Sequence, residues 1–195
     1  VRGTVAAVVL AAGRGERLGG DVPKPCVTYR GRPLVSHALD AAIASGLGPV
    51  VLIVGHGADE VAACAGPGVE VVVNPNFADG IASSLHAALD WLAARGIVHA
   101  AVVGLADQPG IGSGAWTRVA AAYDDGASLA VATYGGVRAN PVLIARDLWP
   151  DALALRGDEG ARQLMRSHPV VEVDCSDVGD PADIDTPDDL DDLSK

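Results

Sequence analysis

Lysine is nearly absent from this chain. Lys24 and Lys195 are the two in 195 residues, and Lys and Arg together number 14 against 25 Asp and Glu. The net charge of -11 and the pI of about 4.6 exclude a nucleic-acid or anionic-membrane partner, because so few cations draw no broad basic face. Cysteine is scarce too. Cys26, Cys64 and Cys175 are odd in number and have neither C-x-x-C nor metal-ligand spacing, so they read as reduced thiols of a cytoplasmic protein. No apolar run approaches membrane-spanning length, and residues 5–12 lack the basic lead and cleavage site of a signal peptide, so a soluble, non-secreted chain is expected. There is no serine in a nucleophile elbow, no H-E-x-x-H or H-x-x-E-H, and no cysteine with an evident histidine partner. Covalent catalysis has no visible equipment.

The cations that exist are clustered. Five of the 14 fall between Arg14 and Arg32, in and after the stretch Leu10-Ala11-Ala12-Gly13-Arg14-Gly15-Glu16-Arg17-Leu18-Gly19-Gly20-Asp21-Val22-Pro23-Lys24. This stretch follows an apolar run at 5–10 that reads as a buried strand and precedes a helical pattern at 33–45. Its glycines let backbone N–H groups approach an anion, and Arg14, Arg17 and Lys24 supply positive charge, so a triphosphate is the natural guest. A plain tight turn is the bland alternative. A dinucleotide fingerprint is another, but that fold wants an acid at the end of the second strand. Here Val50–Val54 runs into Gly55-His56-Gly57.

Along the chain, helix 33–45 stops at Gly46, with Leu34, Ala38, Leu39, Ala42 and Ile43 on one face. Strands at Val50–Val54 and Val69–Val73 flank a short helix at 58–65, and a helix at 83–95 leads to a fourth strand, Val98–Leu105. A helix at 115–123, strands at 128–133 and 140–145, a helix at 160–167 and a strand at 170–173 complete the pattern. The acid-rich tail folds back, because Thr186 is a good N-cap with Pro187 at N1 and acids in the first turn. With 49% hydrophobic residues, a single α/β domain is expected: a three-layer sandwich with a mostly parallel, Rossmann-like sheet. Ligands bind such sheets outside the carboxyl ends of the strands, where the glycine loop, Asn74 and Asp107 all lie.

A triphosphate held on backbone amides needs its charge neutralised, and Mg2+ on one or two carboxylates is the usual means. Asp107 follows an apolar strand directly and is the best ligand. Asp185 is the second, unless it only supports the Thr186 cap, and Asp183 is its substitute. A nucleophile would then attack in line at phosphorus, with Arg17 and Lys24 bearing the charge of leaving pyrophosphate.

The ordered segments L-A-A-G-R-G-E-R-L-G with Lys24, V-L-I-V-G-H at 51–56, N-P-N-F-A-D-G-I-A-S-S-L at 74–85, L-A-D-Q-P at 105–109, N-P-V-L at 140–143, G-D-E-G-A-R at 157–162 and D-I-D-T-P-D-D-L at 183–190 resemble the MobA-like nucleotidyltransferase family. Within it they look most like the molybdenum cofactor cytidylyltransferase branch. That resemblance implies the nucleotide-diphospho-sugar transferase type of fold and transfer of a nucleoside monophosphate from NTP to molybdopterin, with release of pyrophosphate. A client molybdoenzyme is a further implied partner. It implies that Ala11, Ala12, Gly13, Arg14 and Gly15 with Lys24 hold the triphosphate, that Asn74 and Ser84 contact base or ribose, and that Asp107 and Asp185 serve Mg2+. Ala12 is typical of cytidylyl members and so points to CTP, a discrimination of about 1–3 kcal/mol from one methyl group. Arg138, Asn140, Asp158 and Arg162 are acceptor contacts or, equally, surface polar residues near turns. Three other functions stay open: a transferase for a sugar or polyol phosphate, an NAD(P)H-dependent oxidoreductase of the nicotine blue oxidoreductase type, and a non-catalytic pterin chaperone.

Overall fold

The apolar run at the start of the chain alternates strictly between two cores. In β1 (Thr4–Ala11), Ala7, Val9 and Ala11 enter one buried cluster, while Ala6, Val8 and Leu10 enter the other. A strand buried on both faces reads as a continuous apolar run for this reason. The structure, a computed structural model, describes residues 3–13 and 22–192.

After β1 come a small hairpin of β2 (Thr28–Tyr29) and β3 (Arg32–Pro33), α1 (Leu34–Ala44), β4 (Val50–Val54), α2 (Ala58–Ala63), β5 (Val69–Val73) and α3 (Ile81–Ala93). They are followed by β6 (Val98–Leu105), α4 (Ser113–Asp124), β7 (Leu129–Tyr134), β8 (Val137–Ala145), α5 (Trp149–Ala154), β9 (Val171–Asp174) and α6 (Pro187–Asp192). Seven strands form one sheet in the order β5-β4-β1-β6-β8-β7-β9. The β1–β4, β1–β6, β4–β5 and β7–β9 pairs are parallel, whereas β8 is antiparallel to both β6 and β7. The reversal follows from Gly135-Gly136, whose φ angles of 57° and 79° make the two-residue turn that only a hairpin uses.

One face of the sheet is covered by α1 and α4 through Val35, Leu39, Trp116 and Val119; the other is covered by α3 and α5 through Leu85, Leu89, Leu92 and Trp149. This is the α/β three-layer arrangement that the alternating pattern predicts. Three local expectations are corrected. The 160–167 segment is a 3-10 helix, Ala161–Arg166, entered by a bond from the Gln163 N–H to the carbonyl three residues back at Gly160, 3.0 Å; α5 is an additional helix; and Ile43 is exposed, with Val35 taking its place on the buried face of α1. Among the described residues no helix is long and apolar enough to cross a membrane.

Chain order reverses between β1 and β6, since β4 and β5 extend the sheet on one side of β1 and β6 begins the other. The crevice outside the carboxyl ends of β1 and β6 is therefore where an open parallel sheet receives a ligand. The tail returns to this crevice. Ile184 is fully buried against Tyr29 and Leu34, and its N–H donates to the Asp107 carbonyl at 2.9 Å. Thr186 and Asp189 form a reciprocal cap on α6: the Asp189 carboxylate accepts from the Thr186 N–H at 2.7 Å and from the Asp185 N–H at 2.9 Å. Hydrogen bonds from the Thr186 side chain, then from the Asp185 and Thr186 backbones, hold the Asp189 carboxyl below its ordinary range.

Candidate active site

Four separate segments meet in the crevice. Ala11 ends β1 and is followed by Ala12 and Gly13, and the Ala12 carbonyl accepts the His56 N–H at 3.2 Å. Lys24 opens a 3-10 turn, Lys24–Cys26, closed by Cys26 N–H to the Pro23 carbonyl at 2.8 Å. That turn leans on α2, because Gly57, at φ 61°, leaves room where a Cβ would stand 2.2 Å from Pro23 Cγ. Asp107 lies two residues beyond β6, and Asp185 follows the buried Ile184.

Lys24 Nζ donates to Asp107 Oδ2 and to Asp185 Oδ1, both at 2.5 Å. The lysine side chain is 11% exposed, and those of Asp107 and Asp185 are 27% and 42% exposed. Burial works against the ammonium charge, but the two carboxylates outweigh it and hold the Lys24 pKa above the ordinary lysine value. Lost hydration and the neighbouring Asp107 charge push the Asp183 carboxyl up. Asp107 Oδ1 is buried and has no hydrogen-bond partner among the described residues. A buried carboxylate oxygen without a donor is costly, and a cation satisfies it. Among the described residues no group of three His, Cys, Asp or Glu side chains is arranged to hold a metal ion. Two carboxylates suit Mg2+, which takes its other ligands from phosphates and water.

These groups line a cavity of about 940 Å³ together with Ala11, Ala12, Gly13, Ser84 and Asp158. Asn74 stands behind the wall. It is 2% exposed, its amide donates to Ser83 Oγ at 2.9 Å and Ser84 Oγ at 3.1 Å, and its Oδ1 accepts the Asn76 N–H at 2.9 Å. It thus pins the first turn of α3, which presents Ser84, to the end of β5. Gly80, at φ 92°, lets this turn abut Gly157, where a Cβ would stand 2.3 Å from backbone. Arg14, Gly15 and Arg17 lie outside the described residues.

Of the remaining residues singled out in the sequence, Asp158 is on this cavity, whereas Arg138, Asn140 and Arg162 line a second one of about 240 Å³. Arg138 is paired with Glu172 at 2.6 Å. Asn140 donates to Gln108 Oε1 at 2.9 Å, and Gln108 Nε2 donates to the Pro181 carbonyl at 3.1 Å. Gln108, 5% exposed, therefore joins the Asp107 loop, the second cavity and the returning tail. Sequence reasoning passed over it. Its position directly after Asp107 was the available signal, because a glutamine just beyond a buried strand, if itself buried, must place both ends of its amide. Phe77, on the wall of the main cavity, was likewise not singled out.

A family model for the MobA-like NTP transferase domain matches residues 7–173, from β1 to β9, and so takes in Lys24, Asn74, Ser84 and Asp107. The chain belongs to the MobA-like NTP transferase family. As a member of that family it has a nucleotidyltransferase domain, and the sheet and the crevice at its switch point are those of the nucleotide-diphospho-sugar transferase fold. Among curated proteins it is similar to nicotine blue oxidoreductase of Paenarthrobacter nicotinovorans, 34% identical over 198 residues, covering 93% of this chain and 92% of that one. Among solved structures it is similar to Rv0371c of Mycobacterium tuberculosis H37Rv, with a TM-score of 0.85, 31% identity and coverage of 100% and 99% of the two chains. A structure of Rv0371c in complex with manganese matches with a TM-score of 0.80, 30% identity and 97% of each chain covered.

Proposed function

We propose that this MobA-like enzyme transfers CMP from CTP to molybdopterin and releases pyrophosphate. The observation that carries the transferase reading is the Lys24 ammonium clasped by Asp107 and Asp185, with Asp107 Oδ1 buried and unpartnered among the described residues, on a cavity walled by Ala11, Ala12 and Gly13. Asp107 and Asp185 would hold Mg2+, which when bound offsets charge on the triphosphate and orients it. The manganese complex of the 30% identical Rv0371c supports a divalent cation. Lys24 and Arg17 bear the negative charge of the pyrophosphate as it leaves, while Ala11, Ala12, Gly13, Arg14 and Gly15 cradle the phosphates on backbone N–H groups. Ser84, held by Asn74, faces base or ribose.

The acceptor enters beside Asp158, with Arg138, Asn140 and Arg162 on the second cavity for its anionic groups. A client molybdoenzyme would receive the product. Pyrophosphate release from CTP, GTP and ATP against molybdopterin and a panel of sugar and polyol phosphates tests this. Release with molybdopterin and CTP above all other pairs is expected; release only with another phosphate acceptor overturns the acceptor assignment. The 34% identity to an oxidoreductase over nearly the whole chain supports a second reading, hydride transfer from a reduced dinucleotide bound in the same crevice. Tight NADPH binding without a divalent cation, and no pyrophosphate release from any pair, would establish it instead.

A further inference from the structure

The three cysteines are not equivalent. Cys175 is fully buried, whereas Cys26 and Cys64 are each partly exposed and, 38 residues apart in the chain, bring their Sγ atoms to 3.8 Å. Cys26 ends the turn that begins at Lys24, and Cys64 caps the carboxyl end of α2. The two elements also touch where Pro23 fills the space left by Gly57. A disulfide requires about 2.05 Å between sulfurs, so closure asks for less than about 2 Å of approach.

We propose that Cys26 and Cys64 form a covalent modification site, which a small-molecule disulfide oxidises to an intramolecular disulfide tying the Lys24 turn to α2. Burial, followed by the hydrogen bond with Cys64, pushes the Cys26 thiol up to about 12, which disfavours the Cys26 thiolate as the first nucleophile. The Cys64 thiolate attacks one sulfur of the reagent, giving a mixed disulfide and expelling one small thiolate. Cys26 then loses its proton to solvent and attacks Cys64 Sγ, expelling the second thiolate. Two protein thiols are oxidised, one reagent disulfide is reduced to two thiols, and the two protons lost by the protein are available to them. Because Lys24 stands two residues from Cys26, closure also regulates nucleotide binding, a consequence that rests on the function proposed above.

The test uses the full chain and oxidised glutathione. Intact mass is expected to fall by two hydrogens with one thiol still titratable after denaturation, a linked peptide is expected to join Cys26 to Cys64, and dithiothreitol is expected to reverse both. Cys26→Ala and Cys64→Ala each form no such link. A wild-type chain that keeps three free thiols, or that carries glutathione without closing the ring, overturns the site. Amide exchange at Cys26 and Val27 is expected to slow about tenfold on oxidation, and unchanged exchange overturns the tie. CTP affinity is expected to fall about tenfold or more on oxidation and to return on reduction; equal affinity in both forms overturns the regulation. If the reduced chain binds no nucleotide, the transferase reading fails, while mass and exchange still decide the site.

Discussion

Replacing Lys24 with alanine has two consequences of opposite sign, and together they test whether this lysine occupies a cation's place. Its ammonium lies 2.5 Å from Asp107 Oδ2 and 2.5 Å from Asp185 Oδ1. In the ligand-bound enzyme that charge is available to the triphosphate, and a charge-assisted hydrogen bond contributes about 1.5–3 kcal/mol. CTP affinity in the presence of Mg2+ should therefore fall about 10- to 150-fold in Lys24→Ala. Without nucleotide the same change removes the positive charge between two carboxylates. Coulomb attraction between unit charges about 2.5 Å apart reaches about 7 kcal/mol at an effective dielectric of 20, and lost hydration with partial exposure of both acids reduces the net effect to about 1–2 kcal/mol. Divalent cations should accordingly bind the nucleotide-free variant about tenfold tighter than wild type. Calorimetry with CTP and manganese titration followed by electron paramagnetic resonance measure the two effects. A variant that binds CTP like wild type, or whose affinity for manganese falls, would refute the reasoning.

Asp107→Ala should lower turnover by about a thousandfold or more, since it removes the cation ligand, while a urea titration shows only about 1–2 kcal/mol of lost stability because Lys24 keeps Asp185. Gly57→Ala should cost about 1–2 kcal/mol and weaken CTP binding, because a Cβ at φ 61° would meet Pro23 Cγ at 2.2 Å; an unchanged melting temperature contradicts this. Asp189→Ala should destabilise the chain at neutral pH. The depressed carboxyl pKa contributes stability above its ordinary value of 3.8 and loses it as pH falls through the folded value, so wild-type and variant melting curves should converge below that pH. Asn74→Ala should raise KM for CTP by loosening the first turn of α3 at Ser83 and Ser84, and an unchanged KM would mean that turn needs no such pin.

The parallel half of the sheet was legible because β1, β4 and β6 are apolar runs bounded by turn residues and buried on both faces, while the edge strand β5 keeps a valine-rich pattern although it is largely exposed. The reversal at β8 was also written, in Gly135-Gly136 between Tyr134 and Val137, but the 128–133 and 140–145 segments were read without closing that two-residue gap. Segment 160–167 has helical spacing, yet its helix spans only six residues, Ala161–Arg166, between Gly160 and Ser167, and periodicity alone does not separate a 3-10 turn from an α-helix. At the site, Asp107 and Lys24 could be named one by one from their local contexts. Their joint bond could not, because 83 residues separate them and only the β1–β6 pairing brings them together. The role of Asn74 was opaque for a similar reason: a buried amide and a ligand-facing amide look alike until their partners are placed.

The most direct test of the Lys24, Asp107 and Asp185 arrangement is calorimetric titration of CTP into the wild type and into Asp107→Ala, each with and without Mg2+. If one crevice holds triphosphate and cation together, Mg2+ strengthens CTP binding to the wild type by about tenfold or more and does nothing for the variant. Equal CTP affinities in all four titrations, or none, would contradict it.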